Sequence, residues 1–167
     1  KEVAERRREA ILARHKTNEF SESELVEFLN DAAPVVREAA LATVVQLKLD
    51  AEKHILNALD DEDQGVRKRA LELIIEFSDN QECVDKILFL LKDSSTFVIE
   101  TACWVIGEIG NECENTVEIV SEVSRLALKH DDSLCREAAV ACLGSLGHIN
   151  GLAALLTALD DKPNVRR

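Results

Sequence analysis

Turn-forming residues are scarce in this sequence, with two Pro and six Gly among 167 residues. An all-β chain of this length needs many tight turns, and those rest on Gly and Pro, so that class is disfavoured. Aromatic residues make up only 4%, with a single Trp. No apolar run approaches the ~20 residues that a membrane-spanning helix requires. The opening KEVAERRREA is charged and lacks the apolar stretch of a secretory signal. Basic charge is also short: 20 Lys and Arg face 32 Asp and Glu, for a net charge of −12. Binding to nucleic acid depends on cations displacing counterions from phosphates, and an anionic membrane would repel the chain, so neither partner is expected. The basic exception is local. Residues 1–17 carry Lys1, Arg6, Arg7, Arg8, Arg14 and Lys16, read as a solvated helix face.

Recognisable catalytic motifs are missing too. No phosphate-cradling GxxxxGK[ST] loop and no Gly-rich nucleophile elbow occurs. The five Cys (83, 103, 113, 135 and 142) are odd in number and contain no CxxC, so they fit neither a zinc site nor a secreted disulfide framework. Reduced thiols in a cytoplasmic protein are the expectation. Cys103, Cys135 and Cys142 fall in apolar periodic segments, where Cys acts as a small hydrophobe. The four His are scattered. His130 with Asp131 and Asp132 reads as a capping turn rather than a metal site, and no cofactor is expected.

Apolar residues make up 46% and charged residues 31%, with Ala and Leu prominent, which suits close helix packing. Four segments share one plan, an acidic turn and then a helix with apolar periodicity. They are DAAPVVREAALATVVQL from Asp31, DEDQGVRKRALELIIEF from Asp61, DSSTFVIETACWVIGEIG from Asp93 and DDSLCREAAVACLGSLG from Asp131. A fifth begins at Asp160. Aligned, one column reads Arg37, Arg67, Ile99, Arg136 and Arg166, at spacings of 30, 32, 37 and 30. The column before it reads Val36, Val66, Val98, Cys135 and Val165. Three residues after it stand Ala40, Ala70, Ala102 and Ala139, and seven after it Val44, Ile74, Ile106 and Leu143. Steps of three and four keep these positions on one helical face, and an all-Ala column allows close axes. Amphipathic first helices are predicted between them, near 23–30, 51–59, 81–91, 115–129 and 151–159. The GxxG pairs Gly107/Gly110 and Gly144/Gly147 match between repeats and read as close packing and helix ending.

This pattern resembles the HEAT repeat, in which a turn Asp precedes by six residues an Arg at the start of the second helix. Asp31/Arg37, Asp61/Arg67 and Asp160/Arg166 match, Asp131/Arg136 is one residue closer, and Asp93 faces Ile99. The short HEAT-like repeats of phycobilin lyases are the most similar subclass. The resemblance implies an all-α, right-handed α-solenoid of about 4–5 stacked helical hairpins in one domain spanning 1–167. Its repeats are 22–48, 51–78, 81–110 and 114–147, with a partial repeat at 150–167. The 1–17 helix reads as a degenerate second helix, with Arg7 and Ala10 thirty residues before Arg37 and Ala40.

Second helices of such folds line the concave side. Removing core columns leaves an outward stripe: Glu38, Ala42 and Gln46; Lys68, Glu72 and Glu76; Glu100, Trp104 and Glu108; Glu137, Ala141 and Ser145. Glu72, Glu76, Glu100, Trp104 and Glu108 are therefore expected to form an acidic groove with one aromatic anchor. That suits a basic or amphipathic partner protein or peptide. The plainer alternative stays open: Trp104 packs sideways on the next repeat and the Glu residues are solvated. A non-catalytic scaffold is the expected function. A bilin lyase-like or tetrapyrrole-handling factor is the alternative that the resemblance implies. HEAT-like DNA glycosylases need a basic surface, and HEAT-like di-iron hydroxylases need His-Glu pairs; this sequence has neither.

Overall fold

The computed structural model describes residues 2–13, 22–77, 81–111 and 113–165. Among them there are helices and no strand. The chain divides into two compact units, Lys1–Glu76 and Phe77–Arg167.

The first unit holds α1 (Val3–Leu12), α2 (Glu22–Leu29), α3 (Pro34–Leu47), α4 (Ala51–Ala58) and α5 (Gln64–Leu73). Residues 14–17 of the expected first helix lie outside the described residues. The central helix α3 packs against α1, α2, α4 and α5. Its start is set by Pro34, whose fixed φ suits the first helical turn. Val36, Ala40, Leu41 and Val44 are buried on its inner side, and Ile55, Leu59, Val66, Ala70, Leu71 and Ile74 complete the core. Each large aliphatic side chain so buried contributes about 1.5–3 kcal/mol. The predicted second helix through Phe77 departs from expectation at its end. Leu73 closes α5, and Ile74–Phe77 form a 3-10 turn, which rotates Glu76 away from the α-helical phase.

The second unit holds α6 (Gln81–Leu90), α7 (Thr96–Ile109), α8 (Thr116–Lys129), α9 (Ser133–Leu146) and α10 (Leu152–Ala158). Here α7 packs on α6 and α9, and α9 packs on α8 and α10. The expected core columns one before, three after and seven after the Arg position are buried, whereas Leu47 and Phe77, ten after it, are half-buried. Val36, Val66, Val98, Cys135 and Val165 are inside, as are Ala40, Ala70, Ala102 and Ala139. Gly107 lets α7 and α9 approach, since a Cβ there would sit 3.3 Å from Ser145 Cβ. The matching Gly144 has nothing within 4 Å, and Gly147 ends α9 in the left-handed region at φ 56°. The two GxxG copies thus differ in purpose: the first permits packing, the second terminates a helix.

Candidate functional site: the repeat ladder and the second-helix face

Arg–Asp pairing runs between successive repeats rather than within one. Arg37 grips Asp61 with two parallel bonds, Nε to Oδ2 at 2.9 Å and Nη2 to Oδ1 at 2.7 Å. Arg136 holds Asp161 likewise, at 2.7 and 2.8 Å. Arg6 pairs with Asp31 in the same bidentate manner, its Nη2 at 3.0 Å. The third nitrogen turns back to the repeat's own turn. Arg37 Nη1 donates to the Asp31 carbonyl, Arg67 Nη1 to the Asp61 carbonyl and Arg136 Nη1 to the His130 carbonyl, each at 2.8 Å. One planar guanidinium therefore ties a turn to its own helix and to the next repeat.

Three expectations change register. Arg6, not Arg7, is the α1 member of the ladder. The acid held by Arg136 is Asp161, not Asp160: the segment Ala158–Leu159–Asp160–Asp161 repeats Ala58–Leu59–Asp60–Asp61, and Asp161 N–H bonds Ala158 as Asp61 N–H bonds Ala58. Asp131 is exposed and contributes only its carbonyl, to Arg136 Nη1 at 3.1 Å. The place six residues before Arg136 belongs to His130. There its Nδ1 accepts the Asp132 N–H at 3.1 Å, as Asp31, Asp61 and Asp93 carboxylates accept the N–H two residues on. The ladder acids close the turn, while helix capping falls to Asp63 and Asp132. Arg166 lies outside the described residues. One rung is replaced at both halves: Ile99 stands in the column of ladder arginines, and His130 stands where its acid would be.

Two of the ladder carboxylates, Asp161 and Asp31, are held low. The Arg136 hydrogen bonds, then the Lys162 N–H, depress Asp161 to about 2. Arg6 likewise lowers Asp31. A carboxyl with a depressed folded-state pKa stabilises the fold above its unfolded value near ~3.9 and loses that contribution as pH falls toward the folded value. Urea midpoints of the wild type should therefore fall as pH drops from about 4 to 2. Asp161→Asn should start lower at neutral pH and fall less over that window; parallel curves would remove Asp161 from the linkage.

In the first unit, α1, α3 and α5 border a groove of about 510 Å³. Its floor is Ala39, Ala42 and Thr43, and its walls carry Arg7, Glu38, Gln46, Arg69 and Glu72. Burial and the Asp63 charge raise the Glu38 carboxyl above its usual range. Glu72 is neutralised locally by Lys68 at 3.1 Å and Arg69 at 2.9 Å. Two of the expected acids thus lose force: Glu72 is paired and Glu76 is rotated onto the 3-10 turn.

The second unit presents a different face. On α7, Glu100 is half-buried, Trp104 is 51% exposed and Glu108 is exposed. On α9, Glu137 is half-buried and Ala141 and Ser145 are exposed. Sequence reasoning missed a further column, two residues before the Arg position, which brings exposed apolar side chains to the starts of α3, α7 and α9. Val35 stands there in the first unit, and Phe97 (62% exposed) and Leu134 (52%) in the second. Their place at the start of an otherwise solvated stripe was the available signal. Burial raises the Cys103 thiol well above its ordinary value, and pushes Cys135 up to about 11 and Cys142 to about 12. None of the three is a thiolate nucleophile at neutral pH. Among the described residues no three His, Cys, Asp or Glu converge as metal ligands, and no helix is long and apolar enough to cross a membrane.

Comparisons agree with this architecture. A designed armadillo repeat protein in complex with the peptide (KR)4 matches at TM-score 0.62 and 19% identity, over 96% of this chain and 87% of that one. A computationally designed armadillo repeat protein for modular peptide recognition matches at TM-score 0.59 and 20% identity, over 96% and 87%. The fold is thus of the all-α, helical-repeat solenoid class. The family model for HEAT repeats matches residues 52–117, and that for the PBS lyase HEAT-like repeat matches 136–161. The chain belongs to the HEAT-repeat family. No curated protein matches it.

Proposed function

We propose that the chain is a non-catalytic scaffold whose second unit holds a basic or amphipathic partner, a protein segment or peptide, on the α7–α9 face. The observation that carries this reading is Trp104, a half-exposed aromatic flanked one turn to either side by Glu100 and Glu108. Neither Glu makes an ion pair among the described residues, so their charge is available to a partner. Phe97 and Leu134 extend the apolar surface. Aromatic anchors dominate interface energetics, and surrounding carboxylates steer cationic partners. The designed protein bound to (KR)4 supports a peptide ligand on this kind of fold. Five free thiols, four of them buried, suit a reducing, cytoplasmic setting.

Titration calorimetry with a panel of basic, neutral and acidic amphipathic peptides tests the reading. Basic members should bind best. Trp104→Ala should weaken them by about 30-fold, as expected for a hot spot worth ~2 kcal/mol, with helical content and melting temperature unchanged. Preference for acidic peptides, or full affinity in the variant, would overturn it.

A further inference from the structure

Three Glu residues occupy the same place, one residue after the Arg column: Glu38, Glu100 and Glu137. Each is half-buried, and two of them show what covers that place. In both, the covering residue lies two before the Arg position of the following repeat. A Cβ on Gly65 would approach Glu38 Oε1 to 2.8 Å, so the glycine leaves that carboxylate its space. Asn164 instead donates its side-chain amide to Glu137 Oε2 at 2.9 Å. At the equivalent place after Glu100 the residue is Leu134, which has no donor. Correspondingly, Glu100 Oε1 is buried with no hydrogen-bond partner among the described residues. Buried polar atoms are rarely left so, because an unmet acceptor forfeits its hydration without replacement. Glu100 thus keeps a carboxylate charge that the following repeat does not satisfy, one helical turn before a half-exposed indole.

We infer that Glu100 and Trp104 together receive one guanidinium group, an arginine side chain of the partner; this rests on the α7–α9 face being the binding face. The guanidinium is planar. Its edge offers parallel N–H groups to a carboxylate while its flat side stacks on an indole, an arrangement a lysine ammonium does not reproduce. Phe97 and Leu134, both exposed at the starts of α7 and α9, offer apolar surface to the aliphatic stem of that arginine. Leu134 has a second consequence in this arrangement: by offering no amide, it keeps Glu100 reserved for the incoming group.

Trp104 is the sole Trp and there is no Tyr, so its fluorescence reports on this one place. Three nonapeptides, all-Arg, all-Lys and all-citrulline, would be titrated against the full chain. The Arg peptide should quench Trp104 saturably and bind several-fold tighter than the Lys peptide, and the citrulline peptide should not bind. Glu100→Gln should weaken the Arg peptide about tenfold while leaving the melting temperature at or above that of wild type. Leu134→Asn should supply Glu100 with the amide that Asn164 gives Glu137, raising the melting temperature and weakening the Arg peptide comparably. Leu134→Ala, which removes contact without adding a donor, should do neither to the same extent. Equal affinity for Arg and citrulline peptides, or an unchanged Glu100→Gln, overturns the arginine assignment. If Trp104→Ala still weakens basic-peptide binding by about 30-fold in that case, the scaffold reading survives alone; if it does not, both fall.

Discussion

Arg37→Ala is expected to lower the unfolding free energy by about 3 kcal/mol, measured by urea denaturation of the full chain. Arg37 is 7% exposed and its guanidinium serves three acceptor atoms: both carboxylate oxygens of Asp61 and the Asp31 carbonyl. Its removal leaves a largely buried carboxylate and a turn carbonyl without their donors. Breaking a buried pair from one side costs roughly 3–5 kcal/mol, and some water access at Asp61 places this case at the lower end. Arg37→Lys should recover less than half of the loss, since one ammonium cannot span the fork. If alanine costs under ~1 kcal/mol, well below the cost of breaking a buried pair, the ladder is decoration on a fold held by its apolar columns alone.

Ala102→Leu should be nearly as damaging for the opposite reason. Ala102 is fully buried in α7, in a column with Ala40, Ala70 and Ala139 that admits no larger residue at any described repeat. Three added carbons must displace neighbours from a close-packed seam, which costs about 1–3 kcal/mol. At the middle of that range the melting temperature of a chain of this length should fall by roughly 4–8 °C. The exposed Ala141→Leu is the control and should change it little. A fall in both would show that added bulk on α9 is itself harmful, and no fall in Ala102→Leu would show that the seam has slack.

The fold was readable because its signal is repeated. Val36, Val66, Val98 and Val165 mark the same place four times, so an error at one copy is outvoted by the rest. Ladder partners were harder, since Arg37 and Asp61 are joined by stacking of repeats and not by helical spacing. Acid doublets added an ambiguity of one residue, which Asp160/Asp161 and Asp131 resolved against the sequence alignment. Pairing of Glu72, by contrast, was legible and overlooked. Lys68 and Arg69 stand four and three residues before it, the spacing at which helical side chains meet. Glu76 needed the coordinates, because nothing local announced that Ile74 would tighten the helix into a 3-10 turn. Glu100 was named as part of a charged stripe, yet its unmet oxygen is a property of the folded chain that no residue near it in sequence announced.

One rung of the ladder has exchanged both of its ends, with Ile99 buried where a guanidinium would reach across and His130 closing the turn where a carboxylate would wait. Reverting either end alone would fail. An arginine in place of Ile99 would enter an apolar interior opposite an imidazole, and an aspartate in place of His130 would wait for a cation that the isoleucine cannot supply. The two positions are expected to act as one unit, with Ile99→Arg and His130→Asp tolerated better together than either is alone.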